Sequence, residues 1–199
     1  MTLRSDLHSI AERVPEGARV LDVGCGDGAL MAWLEANKGC DARGIELSRD
    51  GVNECLEKGL SVVQGDADTD LASYPSDGFD VAILSKTLQA TRAPADVVRN
   101  LVRIAPRAIV SFPNFGYWRV RLGLLLNGRM PITDTLPVSW HETPNIHLCT
   151  IRDFAALADT LDVDVAEVFE PGGEGQSGPA ALRRFNLLAQ EALFDLRRG

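Results

Sequence analysis

An α/β fold, a doubly wound and mostly parallel sheet with helices on both faces, is predicted by three observations. Five short apolar segments alternate with helix-patterned ones before residue 113, and that alternation builds a parallel sheet covered on both sides. The run Val20–Val23 breaks into glycines at 24, 26 and 28, then resumes helical spacing at Leu30, Met31 and Leu34. Strand, tight turn and helix follow from that pattern. Acids recur where strands end, at Asp22, Glu46 and Asp66. A doubly wound sheet places its ligand there, at the carboxyl ends of the strands beside the switch point.

Taken in order, Leu3, Leu7, Ile10, Ala11 and Val14 predict an amphipathic opening helix over residues 3–14, stopped by Pro15-Glu16-Gly17. The first strand is Arg19–Val23, and the helix after the glycine turn runs to Lys38 with Gly39 as its C-cap. The second strand is residues 42–46. Ser48 caps the next helix, whose buried stripe is Val52, Cys55 and Leu56. The third strand is residues 60–64. Residues 67–78 read as loop with one helical turn, the fourth strand as 79–84, and residues 85–93 as loop. Pro94 opens a helix through Val97, Val98, Leu101 and Val102. The fifth strand is residues 108–112.

Residues 113–149 read as an insertion into a single domain spanning 1–199. It carries Phe115, Tyr117, Trp118, an apolar run from Leu122 to Leu126, and Trp140. Two roles stand for it: core packing, or a lid or partner-docking segment, since connections of this length are usually functional. Thr150 with Asp153 forms a capping-box pattern and starts the next helix, followed by a sixth strand at Val163–Phe169. Pro171 to Pro179, with four glycines, reads as a flexible loop. In the tail, Phe185, Leu188, Ala189, Ala192, Leu193 and Leu196 follow helical spacing.

The glycine turn carries the chemistry. Gly24, Gly26 and Gly28 let a ligand approach the backbone, and the following helix aims free N–H groups at it. Two cofactor classes use such turns. The dinucleotide fingerprint is formally met by Gly24, Gly26 and Ala29, with Glu46 as the acid about 20 residues on. The second class is S-adenosylmethionine (AdoMet), which has no pyrophosphate. Asp22 at the strand end favours it, because a carboxylate there suits an ammonium group and repels a pyrophosphate. The run resembles motif I of class I AdoMet-dependent methyltransferases, a Rossmann-like fold. That resemblance implies a seventh, antiparallel strand, placed at residues 193–197 against the helical periodicity of the tail.

On this reading Glu46 accepts the ribose hydroxyls, with Leu47 beside it, and Asp66 meets the adenine amino group with the Ala67 N–H at the ring. Asp22 lies near the methionine ammonium. Gly24, Cys25, Gly26 and Gly28 form the turn, while Leu84, Ser85 and Gln89 line the methionine end. S-adenosylhomocysteine would bind in the same way. Methyl transfer needs a positioned nucleophile and sometimes a base. His141, His147 and Tyr117 qualify by residue type alone, so the catalytic residues are unassigned.

Composition narrows the classes. The 199 residues suit one domain with a real core, at 45% hydrophobic and 24% charged. A net charge of −8 argues against nucleic acid as the main partner. No apolar run approaches the roughly 20 residues that span a bilayer, and the first residues carry no apolar signal region. Cysteines 25, 40, 55 and 149 lack Cys-x-x-Cys spacing and fit reduced thiols of a cytoplasmic protein. His141, His147 and Cys149 match no metal-ligand spacing, so no metal is expected.

Longer stretches resemble one family closely. VLDVGCGDGAL (20–30), LSKTLQATRAP (84–94), AIVSFPNFGYWRVRL (108–122), GRMPIT (128–133), LPVSWHETPNIHLCTIRDF (136–154) and LLAQEAL (187–193) are similar to the methionine biosynthesis protein family MetW. PNFGYW and TPNIHLCTIRDF are far more specific than the glycine turn. The resemblance implies a methyltransferase fold in methionine synthesis and a partner, the homoserine O-acyltransferase MetX. Three functions stand open: an AdoMet-binding partner or regulator of that acyltransferase, a small-molecule methyltransferase, and a nicotinamide-dependent oxidoreductase. Asp22 speaks against the last.

Overall fold

The computed structural model describes residues 3–133 and 135–199. In chain order the elements are α1 (Ser5–Arg13), β1 (Arg19–Val23), α2 (Ala29–Lys38), β2 (Asp41–Glu46), α3 (Arg49–Glu57), β3 (Ser61–Gln64), β4 (Val81–Ser85), α4 (Pro94–Ile104), β5 (Arg107–Pro113), α5 (Trp118–Asn127), α6 (Ile151–Thr160), β6 (Val163–Phe169), α7 (Gly178–Leu188) and β7 (Glu191–Arg198). Single 3-10 turns at Leu71–Ser73 and Leu88–Ala90 interrupt the two predicted loops.

The sheet runs β3-β2-β1-β4-β5-β7-β6. β1 pairs in parallel with β2 and β4, and β7 is antiparallel to both β5 and β6. The chain reverses direction across β1, between β2 and β4, so the crevice opens where the glycine turn leaves β1.

Alternate residues of each strand feed two cores. Val20, Val81, Ile83, Ile109 and Leu193 pack with Ile10, Met31 and Leu34 on the α1–α2 side. Leu21, Val23, Leu84, Val110, Phe112 and Phe194 pack with Val98, Leu101, Phe154 and Phe185 on the other. There Phe154 meets Phe194 edge-on at 4.6 Å and Phe112 at 5.0 Å, the offset geometries aromatic pairs prefer.

The local signals read from the sequence act as expected. Gly39 ends α2 in the left-handed conformation, Ser48 accepts the Gly51 N–H, and Thr150 and Asp153 close a full capping box. The fourth strand starts later than predicted, at Val81, because Phe79 donates to the carbonyl of Ile104 and Asp80 to that of Arg19 before the ladder begins. The tail holds both of its predicted structures in succession. Helical spacing is real through Leu188, where α7 ends, and β7 begins at Glu191. The loop predicted to extend to Pro179 is therefore cut short by α7, whose first turn accommodates that proline.

Asn114 explains why PNFGYW is so specific. Its buried amide nitrogen donates to the carbonyls of Asn186 and Ala189 at the end of α7, and its oxygen accepts the Gly116 N–H. A Cβ on Gly116 would overlap the Asn186 side chain and backbone. The motif thus ties the end of β5 to the end of α7.

Candidate functional site

At the carboxyl end of β1 the chain enters a cleft of about 260 Å³ lined by Gly24, Glu46, Leu47, Asp66, Ala67, Asp68, Thr87, Thr91 and Arg92, among others. Glu46 ends β2 with its carboxylate braced. Oε2 accepts the Gly26 N–H and Oε1 the Ser48 N–H, both at 2.8 Å. Each oxygen keeps a second acceptor direction, so the carboxylate arranges the turn and still has capacity for a hydroxyl pair.

Two of the turn glycines serve different ends. Gly24 lies at φ +71°, and a Cβ there would overlap the Thr87 hydroxyl, so glycine is required for the loop after β4 to close on the turn. At Gly26, φ is +56° but a Cβ would meet nothing within 4 Å. Only the backbone conformation asks for glycine at that position, which does not itself line the cleft.

Asp22 sits one strand position below the turn, 3% exposed. Burial first, and then the Glu46 charge, push its carboxyl up to about 7. Burial beside a like charge keeps the proton on this acid, and Asp22 is not among the residues that line the cleft. Asp66 accepts the Asp68 N–H at Oδ1, and Asp68 in turn accepts the N–H groups of Arg92 and Ala93. Asp68, which the sequence reading missed, thereby holds the loop that forms the far wall of the cleft. Thr87, Thr91 and Arg92 on that wall were missed as well. They lie in a stretch with no glycine or acid to mark it.

Several expected residues lie elsewhere. Leu84 is fully buried in the core, and the Ser85 hydroxyl pairs with that of Ser111 at 3.2 Å. Gln89 points away from the cleft and donates to the carbonyl of Pro113. Gly28 is the N-cap of α2, where a Cβ would strike Leu60 and Cys55. Cys25 is buried with its Sγ 3.9 Å from that of Cys55, and burial raises both thiols, which keeps them unreactive. His141 stacks edge-on with Trp140, His147 Nε2 lies 3.4 Å from the Arg92 carbonyl, and Tyr117 is buried. None of these three lines the cleft. Among the described residues no cluster of three or more His, Cys, Asp or Glu is arranged to hold a metal, and no helix is long and apolar enough to cross a membrane.

The sequence profile described as "Methionine biosynthesis protein MetW" matches residues 4–196. The chain belongs to the MetW family. A relative from Rhodopirellula baltica, named bifunctional methionine biosynthesis protein MetXA/MetW, is 33% identical over 186 residues. The match takes 88% of this chain but spans only 30% of that relative's length. A ubiquinone biosynthesis O-methyltransferase from Paraburkholderia phymatum is 37% identical over 159 residues, covering 75% of this chain and 67% of that protein. Among solved structures, an S-adenosylmethionine dependent methyltransferase from Mesorhizobium loti superposes with a TM-score of 0.70 at 19% identity, covering 98% of both chains. The putatively named methyltransferase of Haloferax volcanii, solved with the Trm112 activator, gives 0.71 at 16% identity, covering 98% of this chain and 89% of that one. The MetW chain therefore has the Rossmann-like methyltransferase fold, with its antiparallel seventh strand.

Proposed function

We propose that this MetW chain binds AdoMet or S-adenosylhomocysteine in the cleft between the glycine turn and the loop after β4, and acts as partner and regulator of a homoserine O-acyltransferase. The observation that carries the partner is the relative whose name joins MetXA and MetW in a single chain. Two activities encoded as one polypeptide gain a high effective concentration for each other, which favours pairs that work in contact.

The residues fit the cofactor. Braced by two backbone N–H groups, Glu46 presents its remaining lone pairs to a ribose diol. Asp66 and Ala67 wall the adenine end. Asp22, behind the turn and protonated up to about 7, would ionise against an amino-acid ammonium brought to the end of β1. When bound, AdoMet supplies an electrophilic methyl on sulfur. The titratable side chains that line the cleft are Glu46, Asp66, Asp68 and Arg92, and the three carboxylates accept backbone N–H groups of the turn and the wall.

The second reading, an AdoMet-dependent methyltransferase on a small molecule, is supported by the ubiquinone O-methyltransferase relatives. One experiment separates the two. The acyltransferase is assayed with and without this protein, each with and without AdoMet. Stimulation that requires this chain supports the regulator. An unchanged acyltransferase, together with AdoMet turnover on a candidate acceptor, supports the methyltransferase. A thermal shift with AdoMet but not NAD disposes of the dinucleotide alternative.

A further inference from the structure

The wall of the cleft after β4 is one residue thick. Thr87, Ala90, Thr91 and Arg92 line the cleft, while Gln89, between them in sequence, turns the other way. The Gln89 carbonyl accepts the N–H groups of Ile146 and His147 at 2.8 and 2.9 Å. Its side-chain nitrogen donates to the Pro113 carbonyl at 3.0 Å and reaches Cys149 Sγ at 3.3 Å. Pro113 and Cys149 are the two ends of the long segment between β5 and α6. One side chain therefore staples both ends of that segment to the cofactor wall, and the same residue's backbone holds its last strip. Arg92 adds a contact from the cleft side, its carbonyl facing His147 Nε2 at 3.4 Å.

This arrangement is not the cheapest packing available. Gln89 is 1% exposed, and its Oε1 has no partner among the described residues. A leucine or methionine would remove the unpartnered Oε1, whose burial carries a cost, but would also take the donor from the Pro113 carbonyl. The amide is oriented by the Pro113 carbonyl, which requires a donor. Beyond the staple, Ile146 and Leu148 present exposed apolar side chains on the outer side of the strip. Cleft, staple and exposed strip lie in direct succession.

From this succession we infer that Gln89 is the positioning residue that couples ligand occupancy of the cleft to the conformation of residues 143–149. A ligand that orders the 87–92 wall fixes Gln89, and Gln89 fixes the strip. The inference rests on the proposed AdoMet site and deepens it. Coupling of this kind requires only that the ligand favour one arrangement of the wall over others, and its effect is reciprocal between the two sites.

The test is amide hydrogen exchange on the full chain, with and without saturating S-adenosylhomocysteine, in wild type and in Gln89→Met. In wild type the Ile146 and His147 amides should slow by about fivefold or more, the lower end of typical couplings. In Gln89→Met the wall amides at Thr87 and Thr91 should still slow, with ligand affinity nearly unchanged, while Ile146 and His147, still bonded to the residue-89 carbonyl but without the staple to Pro113 and Cys149, respond less than in wild type. Ile146→Pro removes one of the two donors at an exposed position, and should likewise uncouple the His147 amide if Gln89→Met fails to fold. Equal slowing of the strip in wild type and variants would overturn the inference. So would a wild-type strip that ignores a ligand that the wall amides register. If neither wall nor strip responds, the AdoMet reading fails first and the coupling with it.

Discussion

The Glu46 carboxylate accepts the N–H of Gly26, twenty residues before it in sequence, at 2.8 Å. The end of β2 thereby sets the turn that leaves β1. A carboxylate bonded to backbone donors in a half-buried site is worth more than a neutral acceptor, because the bond is charge-assisted. The acid that the dinucleotide and AdoMet readings both placed on a ribose is thus also the clamp of the glycine turn.

Glu46→Gln puts a two-donor nitrogen where one of two N–H groups now finds an acceptor. S-adenosylhomocysteine binding should weaken by about 1–3 kcal/mol, the range for hydrogen bonds to a charged group. Calorimetry checks this. Because the turn relaxes too, the melting temperature of the free protein should also fall. An affinity equal to wild type would take Glu46 out of the site and leave it only as the clamp.

Asp22 makes the free protein pH-sensitive. The unfolded chain ionises this group near 3.8, while the folded chain holds its proton to about 7. Between those values the folded state binds more protons, so the Asp22 contribution to stability falls as pH rises from about 4 to about 7 and is flat above that. Asp22→Asn should therefore raise the melting temperature at pH 8 more than at pH 4. A ligand ammonium pulls the group back to its ionised form, so binding near pH 7 should release a proton. Calorimetric heats in phosphate and in Tris would then differ by the number of protons released times the difference between the two buffers' ionisation enthalpies. Identical heats mean that no proton moves and that the ammonium lies elsewhere.

Gly24 and Gly26 should fail in different ways. Gly24→Ala adds a Cβ that collides with the Thr87 hydroxyl at a positive φ, so it should lower the melting temperature substantially. In Gly26→Val the Cβ itself meets no protein atom, and the cost to folding is chiefly a β-branched residue in a left-handed backbone, upwards of about 1–2 kcal/mol. It should fold and yet lose the ligand. A Gly26→Val protein that binds S-adenosylhomocysteine normally would show that the ligand does not approach this turn.

Patterns that are local in the chain were legible in it. Strand–helix alternation, the Thr150 and Asp153 capping box and the glycine turn act within a few residues, so their spacing carries them. Glu46, Asp66 and Ala67 were legible because strand ends in a doubly wound sheet share one edge. Gln89 was not. Its direction is decided by the Pro113 carbonyl and the 146–147 backbone, which pack beside it only after folding. The tail misled for a related reason. Phe185 to Leu196 carries apolar residues at helical intervals throughout, and only the stop at Ala189, whose carbonyl is taken by Asn114, separates helix from strand.

The outer face of residues 114–149 supplies the last prediction. α5 buries only Val120, and leaves Leu125 80% and Leu126 71% exposed, while Trp140 farther along is 74% exposed. These side chains are not core, so removing them should leave the fold intact. Single exposed leucines need no explanation, but Leu125, Leu126, Trp140, Ile146 and Leu148 are all exposed within one segment, which makes it the place to look for a partner. Tryptophan is also enriched among residues that dominate binding energy, where truncation costs about 2 kcal/mol or more. Trp140→Ala should therefore weaken the proposed complex with the homoserine O-acyltransferase roughly 30-fold or more by that measure, and Leu125→Asp should weaken it in the same direction, with melting temperature and S-adenosylhomocysteine affinity near wild type. Pull-down followed by calorimetry measures both quantities on the same preparations. Full complex affinity in both variants would move the docking face off this segment, and a loss of ligand affinity alongside the partner would mean that the two sites share residues.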